Sequence, residues 1–252
     1  MQHTRHPIIS RRSLLVSGVL SPFAMQEGYA QSVDDWAWYA AQFMRDDGRI
    51  IDNGNGYQSH TEGQGYGMLF AQTNDDKKAF EKIFSWTEKN LKLSDCALHA
   101  WHYLPTSPVK VPDSNNATDG DLLIALALAF AGYRWQRNDF LKAAHDIYKD
   151  VRQKLVQKIG GLYVLMPGLT GFTNQSGVVV NLSYYVMPSL LLATGLDDAK
   201  MWQSIMRNGL ALVRNGRFGR WKLPPDWLQV AAHSGHLSIA DQHHPRFSYD
   251  AV

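Results

Sequence analysis

The sequence predicts a mainly α-helical protein built from layers of helices. Six segments carry apolar residues at three- and four-residue spacing, which indicates amphipathic helices: residues 34–45, 75–91, 119–135, 139–158, 183–194 and 197–214. Polar connections containing Gly and Pro separate these segments. One run, LLIALALAFA at residues 122–131, is apolar on nearly every side, which is typical of a helix buried among others. We therefore expect inner and outer helices, with a binding groove formed by loops at one end.

The first thirty residues are predicted to be an export signal and not part of the fold. A basic start precedes an apolar stretch at residues 14–25 and a small-x-small site at residues 28–30, so we expect cleavage after Ala30. The run SRRSLL at residues 10–15 leaves twin-arginine and ordinary secretory export both open. We expect a mature protein that is periplasmic or secreted. No later segment is apolar over enough residues to predict a membrane span.

The connections between the helices contain one Gly-rich turn and two stretches with β-strand character. HTEGQGYGMLFAQ, residues 60–72, runs from a Gly-rich turn into a helix-like segment, but an acid stands at its entrance and no Lys follows in the P-loop position. A phosphate-binding loop is therefore disfavoured. Residues 161–166 and 177–182 have β-strand character, and we expect them to pair as a small hairpin on the loop side.

The composition limits the function. The 252 residues, 45% of them apolar, suit one large domain, predicted here for residues 31–252. A net charge of +2 without a charged block gives no reason to expect a nucleic-acid partner. Eight Trp residues are more than a core needs, and flat rings suit the apolar faces of sugars. The single cysteine, Cys96, excludes an internal disulfide and a Cys-based zinc site.

Three carboxylates are candidates for chemistry. Glycoside hydrolysis requires one carboxylic acid and one carboxylate on opposite sides of a sugar groove, and Glu62 and Asp250 are candidates for this pair. Asp119 is expected at the N-cap of a buried helix, as cap, sugar ligand or both, and to be held ionised by backbone N–H groups. A metal site at Asp119 and Asp121 is disfavoured because the two point apart on a helix and no third ligand is suitably spaced. We expect no metal and no cofactor.

Several motifs occur in one order along the chain: TEGQGYGMLFA, NNATDGDLLIALAL, NLSYYVMPSL, GRFGRWKLPPDWL and PRFSYDAV. Together they resemble glycoside hydrolase family 8, in the branch produced alongside bacterial cellulose synthase. The resemblance runs from about Asp35 to Val252. It implies an (α/α)6 barrel and an inverting endo-β-1,4-glucanase that acts on a cellulose chain, with the cellulose synthase machinery as an expected partner.

The resemblance also implies a role for five residues. Glu62 matches the family's general acid and Asp250 its general base. Asp119 matches the acid that binds the sugar in subsite −1. Tyr184 matches a tyrosine that positions the nucleophilic water, and Trp101 matches a stacking tryptophan.

One alternative function and one departure from the family pattern stay open. A non-catalytic glucan-binding or assembly protein of cellulose export would keep the groove without turnover. The family motif continues after the base with an Arg that this sequence does not reach, and fewer helical segments are visible than the twelve of a barrel. We therefore expect a fragment from which the C-terminal helices are missing.

Overall fold

The computed structural model describes residues 35–241 and 246–248. These residues form a mainly helical fold, as the sequence predicts. The predicted export signal at residues 1–30 and the predicted base Asp250 lie outside the described residues. Within the described part of the chain, no helix is both long enough and apolar enough to cross a membrane.

Seven helices contain nearly half of the described residues. They are α1 at residues 35–43, α2 (Thr61–Thr73), α3 (Lys77–Leu91), α4 (Thr118–Trp135), α5 (Asn138–Lys154), α6 (Met187–Leu196) and α7 (Ala199–Asn215). Local signals fix several of their ends. The Asp76 carboxylate accepts the Ala79 N–H at 2.9 Å to begin α3, and Asp198 does the same for Met201 at 3.1 Å in α7. Helix α4 ends at Gln136, which has a left-handed backbone with φ 54°.

The helices form two layers. Helices α3, α5 and α7 each bury one apolar stripe, whereas α4 is apolar on almost every side. Helix α4 packs against α2, α5 and α6, while α3 packs on α2 and α7 packs on α6. The inner helices are therefore α2, α4 and α6, and the core lies between them and the outer layer.

Helices α2 and α4 approach each other more closely than ordinary side chains permit. A Cβ atom on Gly65 of α2 would stand 2.6 Å from the Leu123 Cβ and 3.2 Å from the Ile124 nitrogen of α4. A Cβ atom on Gly120 of α4 would overlap the Thr61 side chain of α2. The two glycines thus let the helix backbones touch along their first turns.

Within residues 35–241, eight short strands lie between and after the helices. The pairs are β1 (Ser59–His60) with β2 (His102–Tyr103), and β3 (Val156–Ile159) with β4 (Leu162–Leu165). A four-stranded antiparallel sheet contains β5 (Thr173–Asn174), β6 (Gly177–Val180), β7 (Leu228–Ala231) and β8 (Leu237–Ile239), in that order.

The predicted pairing of residues 161–166 with 177–182 is wrong. Gly160 and Gly161 have φ of 53° and 80°, so they form a tight turn that folds β4 back onto β3. Residues 156–158, predicted as the end of a helix, belong to that hairpin. Strand β6 pairs instead with β5 and with β7, about 50 residues further along the chain.

A Gly65→Ala substitution should destabilise the protein, because the added methyl group collides with α4. We expect the free energy of unfolding to fall by about 1–3 kcal/mol, as measured by urea denaturation. Gly195→Ala is the matched control, since Gly195 is also helical but a Cβ there meets nothing within 4 Å. That control should be neutral or stabilising by up to about 1 kcal/mol. Equal effects at the two positions would refute the close approach of α2 and α4.

Candidate active site

The inner helices begin at the same end of the fold. Gly120, in the first turn of α4, lies against Thr61, the first residue of α2. The Ser189 hydroxyl, in the first turn of α6, donates to the Leu122 carbonyl of α4 at 2.6 Å. Residues just before or within these first turns therefore gather in one place. Glu62, Asp119 and Tyr184 are three of them.

Glu62 and Asp119 face each other across the contact between α2 and α4. Each is the second residue of its helix, and Glu62 is half-buried. The Oδ1 atom of Asp119 is buried and has no hydrogen-bond partner among the described residues. Burial, and then the negative charge of Glu62, raise the pKa of Asp119 to about 7. The pair therefore retains a proton at a pH at which an isolated carboxyl group is ionised.

Two expectations about Asp119 are wrong. Helix α4 begins at Thr118 with Ala117 in the N-cap position, so Asp119 lies inside the first turn and is not the cap. It is also not held ionised by the helix terminus. Backbone N–H groups do lower its pKa, but burial and the Glu62 charge outweigh them.

The start of α4 is anchored to the loop after β4. The Thr118 backbone N–H donates to the Pro167 carbonyl at 2.9 Å, and its hydroxyl donates to the Met166 carbonyl at 2.7 Å. These two bonds take the place of a capping side chain. They fix the position of Asp119, the next residue.

Trp101 lies beside the start of α2. Its carbonyl accepts the Thr61 N–H at 3.0 Å, which places Trp101 next to the residue that precedes Glu62. Its indole ring is partly exposed and stacks on His60, with ring centroids 5.8 Å apart and an interplanar angle of 12°. The structure thus brings Trp101, Glu62 and Asp119, three of the predicted site residues, close to one another.

Tyr184 belongs to an aromatic group at one end of the four-stranded sheet. It ends a 3-10 turn, Leu182–Tyr184, in which the Asn181 side chain accepts the Ser183 N–H, and this turn packs on α4. The ring centroid of Trp227 is 6.3 Å from that of Tyr184 and 5.7 Å from that of Phe172. Val180 pairs with Leu228 in the sheet, which explains why the residues flanking these strands meet.

A buried carboxylate, Asp226, holds the last described segment. Only 1% of Asp226 is exposed. It accepts the Ser248 N–H at 2.7 Å and the Ser248 hydroxyl, and it lies 3.4 Å from the Arg246 guanidinium. These residues precede the predicted base along the chain, and the sequence reasoning did not identify Asp226.

A second buried network lies behind Asp119. His99 is completely buried, its Nδ1 is 2.9 Å from Asp121 and its Nε2 is 3.1 Å from Glu88 on α3. Burial alone would lower its pKa, but hydrogen bonds with the two carboxylates raise the pKa of His99 to about 8. Asp121 also accepts the Asn116 side-chain amide at 3.0 Å. Asp121 is therefore occupied by a structural network on the side of α4 away from Asp119.

Four of the five site residues predicted from the sequence, Glu62, Asp119, Trp101 and Tyr184, lie around the starts of inner helices. Their roles stay predictions. The sequence analysis did not single out Trp227, although the PPDW motif contains it, or Phe172, which has no local signal. Among the described residues, no group of three or more His, Cys, Asp or Glu side chains is arranged to hold a metal ion.

Comparisons with known proteins identify the family of the chain. The model of the family "Glycosyl hydrolases family 8" matches residues 9–252. A probable endoglucanase of Novacetimonas hansenii is 51% identical over 217 residues, covering 86% of this chain and 64% of the relative. An endoglucanase of Cellulomonas uda is 36% identical, covering 94% of this chain and 66% of the relative. The chain thus spans slightly less than two thirds of the length of each of these relatives.

A solved structure has the same fold. The endo-β-1,4-glucanase CMCax of Acetobacter xylinum superposes with a TM-score of 0.84 and is 50% identical. The match covers 87% of this chain and 69% of that one. Together with the family match, this likeness confirms the predicted (α/α)6 barrel architecture.

The buried His99 network should make stability depend on pH. A histidine pKa raised from 6.5 to about 8 stabilises the fold fully below pH 6.5, and this contribution is lost as pH rises through 8. The gap in unfolding free energy between the wild type and His99→Gln should therefore narrow by about 2 kcal/mol from pH 6 to pH 9. Urea denaturation at several pH values measures it, and a constant gap would contradict a charged His99.

Proposed function

Because the chain belongs to glycosyl hydrolase family 8, we propose that it is an endo-β-1,4-glucanase that hydrolyses internal bonds of cellulose. The observation that supports this most directly is the placement of Glu62 beside the buried Asp119 where α2 and α4 touch, since burial and the Glu62 charge raise the pKa of Asp119 to about 7. A proton held near neutral pH is what protonation of a glycosidic oxygen requires. Relatives named as endoglucanases point to the same reaction.

The aromatic side chains suit a glucan chain. Trp101 lies on the α2 side of the acid pair, and Phe172, Trp227 and Tyr184 form a group at the sheet. Flat rings cover the apolar faces of glucose units at low entropic cost. We assign Trp101 to sugar stacking, and Tyr184 to positioning the attacking water.

In the proposed mechanism Glu62 is the general acid. It protonates the leaving oxygen while Asp250 activates a water on the opposite face of the sugar, so that the anomeric configuration inverts. Asp119 binds the sugar at the cleavage point. The charges of the two acids oppose each other's ionisation, and with burial this raises the pKa of Asp119 to about 7.

The setting of the enzyme is part of the proposal. The basic and apolar start of the chain supports export to the periplasm or the medium. Motifs of the branch associated with cellulose synthase support a role beside that machinery. A glucan-binding or assembly protein without turnover is the alternative, and the first experiment below distinguishes the two.

Glu62→Gln should abolish most hydrolysis, because an amide cannot donate the proton. We expect turnover of carboxymethyl cellulose to fall by about 10²- to 10⁴-fold, measured by release of reducing ends. Affinity for cellohexaose, measured by calorimetry, should change by less than about threefold. Asp250→Asn should behave in the same way.

Glu81→Gln is the matched control, since Glu81 is an exposed acid on α3 that pairs with Arg137. It should hydrolyse at the wild-type rate. A Glu62→Gln variant of near-normal rate would refute Glu62 as the acid. A wild-type protein that binds cellohexaose without hydrolysing it would support the non-catalytic alternative.

The product stereochemistry gives an independent test of the mechanism. A water placed between the base and the anomeric carbon attacks from the face opposite the leaving group, so the first product should be the α-anomer. Proton NMR of cellohexaose during early hydrolysis measures the anomer directly. Initial appearance of the β-anomer would show retention and would exclude the assigned base mechanism.

A further inference from the structure

The indole ring of Trp101 is held by a carboxylate that no functional role yet explains. Its Nε1–H donates to the Asp113 Oδ2 at 2.9 Å. The other carboxylate oxygen of Asp113 accepts the Asn115 backbone N–H, also at 2.9 Å. These two hydrogen bonds, the Asn115 bond first, lower the pKa of Asp113. The carboxylate is therefore ionised at neutral pH and accepts the indole N–H as a charged group.

Asn115 fixes the loop that carries Asp113. Its carbonyl accepts the Trp101 backbone N–H at 2.9 Å. Its side-chain amide exchanges two hydrogen bonds with the Thr170 backbone, at 3.0 and 3.1 Å. The loop that carries Asp113 is thus hydrogen-bonded both to the backbone of Trp101, just before β2, and to the loop that leads to Phe172. Asp113 is held in place even though it is exposed.

The Trp101 ring is consequently fixed in two directions. The Asp113 carboxylate holds the ring edge, and the His60 ring lies parallel to the indole at a centroid distance of 5.8 Å. Rotation about the side-chain torsions would break one contact or the other. A ring already held in its binding orientation loses less conformational entropy when a sugar stacks on it.

We infer that Asp113 is a positioning residue for glucan binding, which holds the Trp101 indole in the orientation that stacks on a glucose unit. Asn115 supports it by fixing the loop. The inference rests on the proposed function, because it needs a glucan in the groove. Asp113 is then a determinant of the affinity for glucan that lies outside the acid pair and acts only through Trp101.

The test measures the Kd for cellohexaose by calorimetry in a Glu62→Gln background, where the ligand is not consumed. Asp113→Ala should weaken binding about fivefold, the effect of losing one hydrogen bond to a charged group at an exposed site. Asp113→Asn should stay within about twofold, because its amide oxygen still accepts the indole N–H. In a Trp101→Ala background, Asp113→Ala should cause no further loss.

Asp47→Ala is the matched control. Asp47 is also exposed, and its carboxylate also accepts a backbone N–H two residues along the chain, that of Arg49 at 3.1 Å. The Asp47→Ala variant should bind cellohexaose with the same Kd as the Glu62→Gln background. The inference is wrong if Asp113→Ala weakens cellohexaose binding equally with and without the Trp101 side chain. It is also wrong if Asp113→Asn weakens binding as much as Asp113→Ala does. The proposed function is tested separately, because it fails if the wild-type protein does not hydrolyse carboxymethyl cellulose.

Discussion

The contact between the backbones of α2 and α4 is the constraint on which the site depends. Gly65 and Gly120 remove the side chains that would hold these helices apart. Because both helices start at this contact, the second residue of one, Glu62, faces the second residue of the other, Asp119. Two helices of ordinary spacing, about 8–10 Å between axes, would separate the carboxylates and weaken their coupling.

The electrostatics of the site follow from that contact. A helix N-terminus favours a negative charge, but two carboxyl groups at neighbouring termini, one buried and one half-buried, oppose each other's ionisation. The result is a raised pKa at Asp119. The charge of Asp121 also raises the pKa of Asp119, but less than that of Glu62, and His99 binds Asp121 on the other side of α4. The outer helix α3 contributes Glu88 to the same network, so the fold separates structural acids from the candidate catalytic pair.

Most of the helices were predictable because their signals are local. Apolar spacing and capping residues such as Asp76 and Asp198 act within a few positions of the chain. The motif around Glu62 likewise indicated the family, which the family match confirms. Strand pairing was not predictable in the same way. Strand β6 pairs with β7 across a long interval of sequence that contains two helices, and no local pattern specifies that register.

The sequence by itself determined the helical class, the family and the inner position of the helix that begins near Asp119. The tertiary structure decided the surroundings of the predicted site residues. Folding raises the pKa of Asp119 to about 7, and it brings Phe172 and Trp227 to Tyr184 at the sheet. The physical reason is the distance along the chain over which each property is set. Helix periodicity and caps depend on neighbours in the sequence. A pKa depends on burial and on charges that folding brings close together.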